Sequence, residues 1–230
     1  KGEDQVALYE HLKVRAWNNG GEIWMIDYTT ELNSPLDNGI MLDAYRYGGG
    51  IGVRFTEKWH KDNCSVFTSE NKTRTDADGT NARWCIVEGM SDSGNGRSGI
   101  LFLSHPSNRM HPEPMRVWPE DANGGRGDMF FEFTPIRHKG WKIEPAVSYV
   151  LRYRMIVFDG GMDKETAEKY WKAFASMPAV EVDPPSRSAS ADKKVRFNSP
   201  GLSRAVEQFN GGAVPEISAQ VSRWGLIPFF

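Results

Sequence analysis

Cysteine is nearly missing: Cys64 and Cys85 are the two thiols in 230 residues. That excludes a disulfide framework and a C-x-x-C zinc site, and leaves one bridge between the two permitted but not required. No apolar run approaches the roughly 18 residues of a membrane-spanning helix. An excess of one charge is missing too. With 28 basic and 30 acidic residues and a formal charge of −2, the chain presents no global field to nucleic acid or anionic lipid. The glycine run Gly48-Gly49-Gly50 is followed by a strand pattern rather than a helix start, which makes it a hairpin loop and not a phosphate cradle. Asp76-Ala77-Asp78-Gly79 lacks the remainder of a twelve-residue calcium loop, and no histidine spacing supports a metal centre. The sequence neither identifies a cofactor nor excludes one.

Aromatic residues, by contrast, are abundant at 12%, with eight tryptophans. Tryptophan is hard to hide completely, so some should line clefts where flat ligands and sugars stack. A chain of this length buries roughly 70% of its unfolded surface without needing covalent staples. It opens on Lys1-Gly2 without an initiator methionine. Either a leader has been removed or the chain is part of a longer protein, possibilities that go with a periplasmic or secreted location. Two sequons, at Asn63 and Asn71, fit that location.

Period-two alternation dominates residues 6 to 158 and predicts an all-β, antiparallel sandwich. Val6, Leu8, Leu12, Val14 and Ala16 share one face, and a return strand follows the turn at Asn18-Asn19-Gly20-Gly21. A second hairpin is expected to join residues 40–47 to 51–59 across the triple glycine. Further strands are expected at 82–89, 99–104, 129–135 and 147–158. A closing helix over 163–176 takes Asp163 as its cap, with Ala167, Tyr170, Trp171 and Phe174 as its apolar stripe. The expected organisation is a sandwich domain over 1–178, a Pro/Ser linker over 179–198, and a helical, apolar tail over 199–230. That tail needs a docking surface: its own domain, a missing N-terminal segment, or a partner subunit.

On the strand after the glycines, Ile51, Val53 and Phe55 should face the core, leaving Gly52, Arg54 and Thr56 outside. A glycine beside an arginine leaves a shallow depression edged by a planar cation, suited to a carboxylate, a phosphate or a pair of sugar hydroxyls. The structural alternative is an ion pair from Arg54 to Asp43. Arg83, Arg152 and Arg154 also sit on strands. Residues 104–128 read as a long, proline-tightened loop carrying His105, His111, Glu113, Arg116 and Trp118. Such loops are usually functional.

The segments "YRYGGGIGVRFTEKW", "SENKTRTDADGTNARWC", "HPEPMRVWPE" and "YVLRYRMIVFDG" resemble, in order and over about residues 5–176, a bacterial domain family of unknown function whose members carry the label "PmoA family" or "methane oxygenase". The family also has an upstream histidine-rich portion that this chain lacks. The resemblance implies carbohydrate chemistry by association with sugar catabolism, and a sandwich similar to the galactose-mutarotase fold.

Three readings follow. In the first, a hydrolase, lyase or epimerase acts on an acidic or oxidised sugar in bacterial glycan catabolism. Arg54, Arg83 and Arg116 hold the substrate, Trp59 and Trp118 stack on it, and His111 with Glu57 or Glu113 moves protons. The second is a carbohydrate-binding accessory module that uses the same residues without turnover. The third is the oxygenase of the family label, with His105, His111 and Glu113 as ligands. The partner is a sugar or oligosaccharide in the first two.

Overall fold

The computed structural model describes residues 5–18, 23–92 and 96–176. The expected linker, tail and second helix lie outside them. Among the described residues twelve strands are formed: β1 (Tyr9–Asn18), β2 (Trp24–Asn33), β3 (Ile40–Leu42), β4 (Gly52–Arg54), β5 (Cys64–Thr68), β6 (Asn81–Ala82), β7 (Trp84–Met90), β8 (Arg97–Ser104), β9 (Glu113–Val117), β10 (Phe130–Phe133), β11 (Trp141–Ile143) and β12 (Tyr149–Asp159). A single irregular turn, α1 (Ala122–Gly125), precedes β10, and α2 (Lys164–Ala175) closes the domain. All the strand ladders are antiparallel, and the architecture is the expected all-β sandwich.

One sheet runs in the order β1-β2-β12-β8-β7-β5, a second β4-β10-β9-β6, and β11 and β3 form a ribbon. Alternation decides which side chains lie between the two larger sheets. Val66, Cys85, Val87, Phe102, Leu151 and Tyr153 from the first meet Met115, Val117, Phe131 and Phe133 from the second. Phe102 and Phe131 touch across the layer with ring centroids 4.6 Å apart. The other face of the six-stranded sheet presents Trp84, Ile86, Leu101, Leu103, Ile156 and Phe158, which α2 covers with Ala167 and Phe174. Asp163 accepts the Thr166 N–H at 2.7 Å, the cap expected from sequence. Both cysteines are buried and free.

Three expectations are corrected. The hairpin across the triple glycine does not form, because β3 pairs with β11 and β4 with β10. The segment 104–128 is not one loop: Glu113–Val117 is a strand paired with both β10 and β6. Val14 of β1 is 56% exposed, since β1 is an edge strand and its apolar face is only partly covered.

Candidate functional site

Phe131 and Phe133 point into the core, so Phe130 and Glu132 must face away from it. Register then brings Arg54, Arg116 and Trp118 to that outer face. Phe130 stands opposite Arg54, and Glu132 stands opposite both Gly52 and Arg116. The Trp118 N–H donates to the Phe130 carbonyl at 3.1 Å and extends the row by one residue. Tyr47 arrives from the loop before β4. Its hydroxyl accepts the Trp118 indole N–H at 2.9 Å, and its ring lies 5.6 Å from Phe130, centroid to centroid. Three guanidinium groups surround this aromatic cluster. Arg54 sits 4.8 Å over Trp118 and 5.9 Å over Phe130, while Arg116 and Arg46 lie 5.2 and 5.4 Å from the Tyr47 ring.

The charges on this face do not cancel. Arg116 donates to Asp78 at 2.7 Å, but Arg137 donates to the same carboxylate through two nitrogens at 3.0 and 2.9 Å. Two cations therefore share one anion; burial would raise the Asp78 carboxyl, but the Val117 N–H at 3.0 Å and the two guanidinium groups together hold it below its usual range. No ion pair to Arg54 is formed among the described residues, and its side chain is exposed. The face is cationic around exposed Tyr45 and half-buried Tyr47, whose rings are 5.8 Å apart.

The triple glycine now has an explanation. Gly48 and Gly49 take φ of +99° and +88°, and a Cβ on Gly50 would sit 2.0 Å from the Phe133 carbonyl oxygen. The loop thus passes directly over β10, and the Gly48 N–H donates to Glu132 at 2.7 Å. The missing side chain at Gly52 makes room for Glu132, whose Cγ would be 2.9 Å from a Cβ there. The depression expected beside Arg54 is filled by a carboxyl group. Burial pushes the Glu132 acid up to about 7, opposed by the Gly48 hydrogen bond and Arg116.

A second polar cluster lies between the sheets. Glu113, fully buried, accepts from Tyr153 at 2.8 Å, from Asn108 at 3.1 Å and from the Ser104 hydroxyl. Desolvation raises it to about 7 despite these donors. His111 Nδ1 is 3.2 Å from the same Ser104 hydroxyl, and its ring stacks on Trp171 of α2 at 6.0 Å. Burial lowers the His111 pKa, and the neighbouring His105 and Arg83 add to that. Arg83 pairs with Glu168 at 2.8 Å and covers Trp171 at 4.7 Å.

The proposed residues therefore divide. Arg54, Arg116 and Trp118 meet on the outer face. Arg83, His111 and Glu113 belong to the second cluster, where Glu113 is sealed from solvent and Arg83 is already paired. Trp59 is buried: it stacks on Phe55 at 5.1 Å, donates to the Met90 carbonyl at 2.8 Å, and rests where a Cβ on Gly89 would come within 2.5 Å of its ring. It can offer a ligand no face. Trp118 is 9% exposed, its indole covered by Arg54, and the nearby rings of Tyr45 and Tyr47 are the more accessible ones. Glu57 is exposed in the turn after β4, where its charged neighbours are Lys58 and Arg126 rather than His111. Arg152 donates to Ser107 at 3.1 Å, and Arg154 pairs with Asp27 on the far sheet at 2.5 Å. Among the described residues no three His, Cys, Asp or Glu side chains gather as metal ligands, and His105 instead bonds Ser107 at 2.7 Å.

Sequence reasoning missed Tyr47, Phe130 and Glu132. The signal for Glu132 was present: a lone acid alternating with phenylalanines in "MFFEF" must face away from a core that those phenylalanines enter.

Residues 1–172 match the model of a family of unknown function, DUF6807, and the chain belongs to that family. The match carries no oxygenase assignment. Neither the curated proteins nor the solved structures give a match.

Proposed function

We propose that this chain is a carbohydrate-active protein that holds an acidic sugar on the outer face of the β4-β10-β9 sheet. One observation carries the reading. The Arg54 guanidinium is exposed and unpaired among the described residues, and it is held over Trp118 and Phe130 beside a second arginine that shares its carboxylate with Arg137. A planar cation in that setting suits the bidentate geometry of a carboxylate. The adjacent Tyr45 and Tyr47 supply rings against which the C–H face of a sugar can pack. The accessory-module reading draws on a different observation: His111 and Glu113 stand apart from this face, so binding need not lead to turnover through them.

The test is calorimetric titration of the full chain with galacturonate and glucuronate oligosaccharides, and with neutral oligosaccharides of the same length. The acidic series should bind, more weakly as salt is raised. Loss of one charge-assisted pair in Arg54→Ala should weaken binding about tenfold or more. Equal binding of the neutral series, or an unchanged affinity in Arg54→Ala, would refute the proposal.

A further inference from the structure

We infer that Glu132 is the proton-transfer group of this face, acting on the carbon next to the carboxylate of the bound sugar. The inference rests on the acidic-sugar reading and extends it to a reaction. Three observations support it. Glu132 shares the outer face with both arginines of the proposed carboxylate site, directly opposite Arg116 and two pairing positions from Arg54. Gly52 gives its side chain room, and the Gly48 N–H fixes one carboxyl oxygen. The third observation concerns the other acids around the face. Asp78 is tied to Arg116 and Arg137, and Asp128 is tied to Arg126 and Asn123. Glycoside hydrolysis ordinarily needs two carboxyl groups across the scissile bond. A carboxyl with no ion-pair partner among the described residues, set beside an arginine-held carboxylate, suits proton abstraction instead.

The step balances without a co-reactant. Arg54 and Arg116 neutralise the sugar carboxylate and stabilise the charge that develops on it. The Glu132 carboxylate removes the proton from the adjacent carbon. The C–H electron pair becomes a carbon–carbon double bond as the next carbon's bond to its oxygen substituent breaks. Glu132 then returns the proton to the departing oxygen. A base with a pKa of about 7 is half ionised at neutral pH and suited to both transfers.

The experiment incubates the full chain with galacturonate and glucuronate oligosaccharides and follows ultraviolet absorbance of an unsaturated carboxylate. Mass spectrometry in deuterium oxide follows exchange at the carbon. Glu132→Gln keeps an acceptor for the Gly48 N–H, so it should retain binding while losing turnover about a hundredfold or more. Glu132→Asp should recover part of that loss. kcat/KM should rise with pH through about 7, set by Glu132 among the groups that act on it: the Gly48 N–H, Arg116 and the Tyr153 hydroxyl. Should no acidic sugar bind, the functional reading fails and this inference with it. If sugars bind with neither product nor exchange, the inference alone is overturned. Unchanged turnover in Glu132→Gln, with native near-ultraviolet circular dichroism, would also overturn it.

Discussion

Arg74 is the residue whose removal should cost this domain most for its size, and its surroundings allow the cost to be estimated. The side chain is 4% exposed and has no carboxylate partner among the described residues. It donates from Nε to the Trp118 carbonyl at 3.0 Å, and from Nη2 to the carbonyls of Gly127 at 2.7 Å, Asp128 at 2.8 Å and Pro119 at 3.3 Å. Nη1 lies 3.1 Å from the Cys64 sulfur. One guanidinium thus ties both ends of the 118–128 segment to the sandwich. In Arg74→Ala the bonds to Trp118 and Gly127, which are buried, leave carbonyls that water cannot readily reach, at about 1–3 kcal/mol each. The carbonyls of Pro119 and Asp128 are less enclosed and can rehydrate. The expected loss is about 3–5 kcal/mol, a large fraction of the roughly 5–15 kcal/mol typical of a domain. Arg74→Lys keeps the charge but offers three donors from one point, and should recover less than half of the loss. Urea unfolding followed by tryptophan fluorescence measures both variants, with an unchanged m-value as the check that the denatured state is the same. A loss below about 1 kcal/mol in Arg74→Ala would show that the segment is held by something else, and the reasoning would fail.

Two further outcomes are expected from the same geometry. Glu113, raised from 4.5 to about 7, holds its proton in the folded state where the unfolded chain has released it, so its contribution is fully present below about pH 4.5 and is lost as pH rises to about 7. That loss is on the order of 3 kcal/mol, and denaturation between pH 4.5 and 7.5 should show a flatter profile in Glu113→Gln than in the parent; parallel profiles would contradict it. A Cβ on Gly50 meets the Phe133 carbonyl, so Gly50→Ala should lower stability by about 2 kcal/mol or more, whereas Gly161→Ala, whose nearest neighbour is Glu88 at 3.9 Å, should fall within about 0.5 kcal/mol of the parent.

How much of this was legible in the sequence differs between the fold and the site. Alternation in "VSYVLRYRMIVF" and the short bounded apolar run of "GILFLS" specify β12 and β8, and the helix cap at Asp163 is equally local. Pairing between distant strands is not local. The glycines at 48–50 carry an ordinary turn signal, yet β4 finds its partner at Phe130–Phe133, some eighty residues away. Pro112 and Pro119 bracket β9 and Pro114 lies within it, and together they disguise a strand as a loop. Pro114 is tolerated because it stands at the start of that strand, where its carbonyl still accepts the Thr134 N–H at 2.7 Å. At the site, Arg54, Arg116 and Trp118 were readable as chemistry, but their convergence depends on the β4-β10-β9 register. The burial of Trp59 was hidden for a related reason: the glycine that receives its ring, Gly89, lies thirty residues further along the chain, on β7.

The two carboxyl groups near 7 show why access, rather than acidity, separates structure from function here. Glu113 and Glu132 stand on neighbouring strands of one sheet and point to opposite sides of it. Glu113 points inward, is 0% exposed, and accepts hydrogen bonds from three side-chain donors with no cation among them. A proton placed there is enclosed by the core and serves to join β9 to β8 and β12. Glu132 points outward, retains 8% exposure, and is opposed by a cation across the strand. Its environment changes when an anion settles on the arginines, because that anion offsets the charge now favouring its ionised form. A bound acidic sugar should therefore raise the Glu132 pKa while leaving Glu113 where it is. Carbon-13 titration of the side-chain carboxyls, with and without galacturonate oligosaccharide, would see one resonance shift its midpoint and the other hold. Movement of both, or of Glu113 alone, would place the ligand at the inner cluster and move the chemistry to His111.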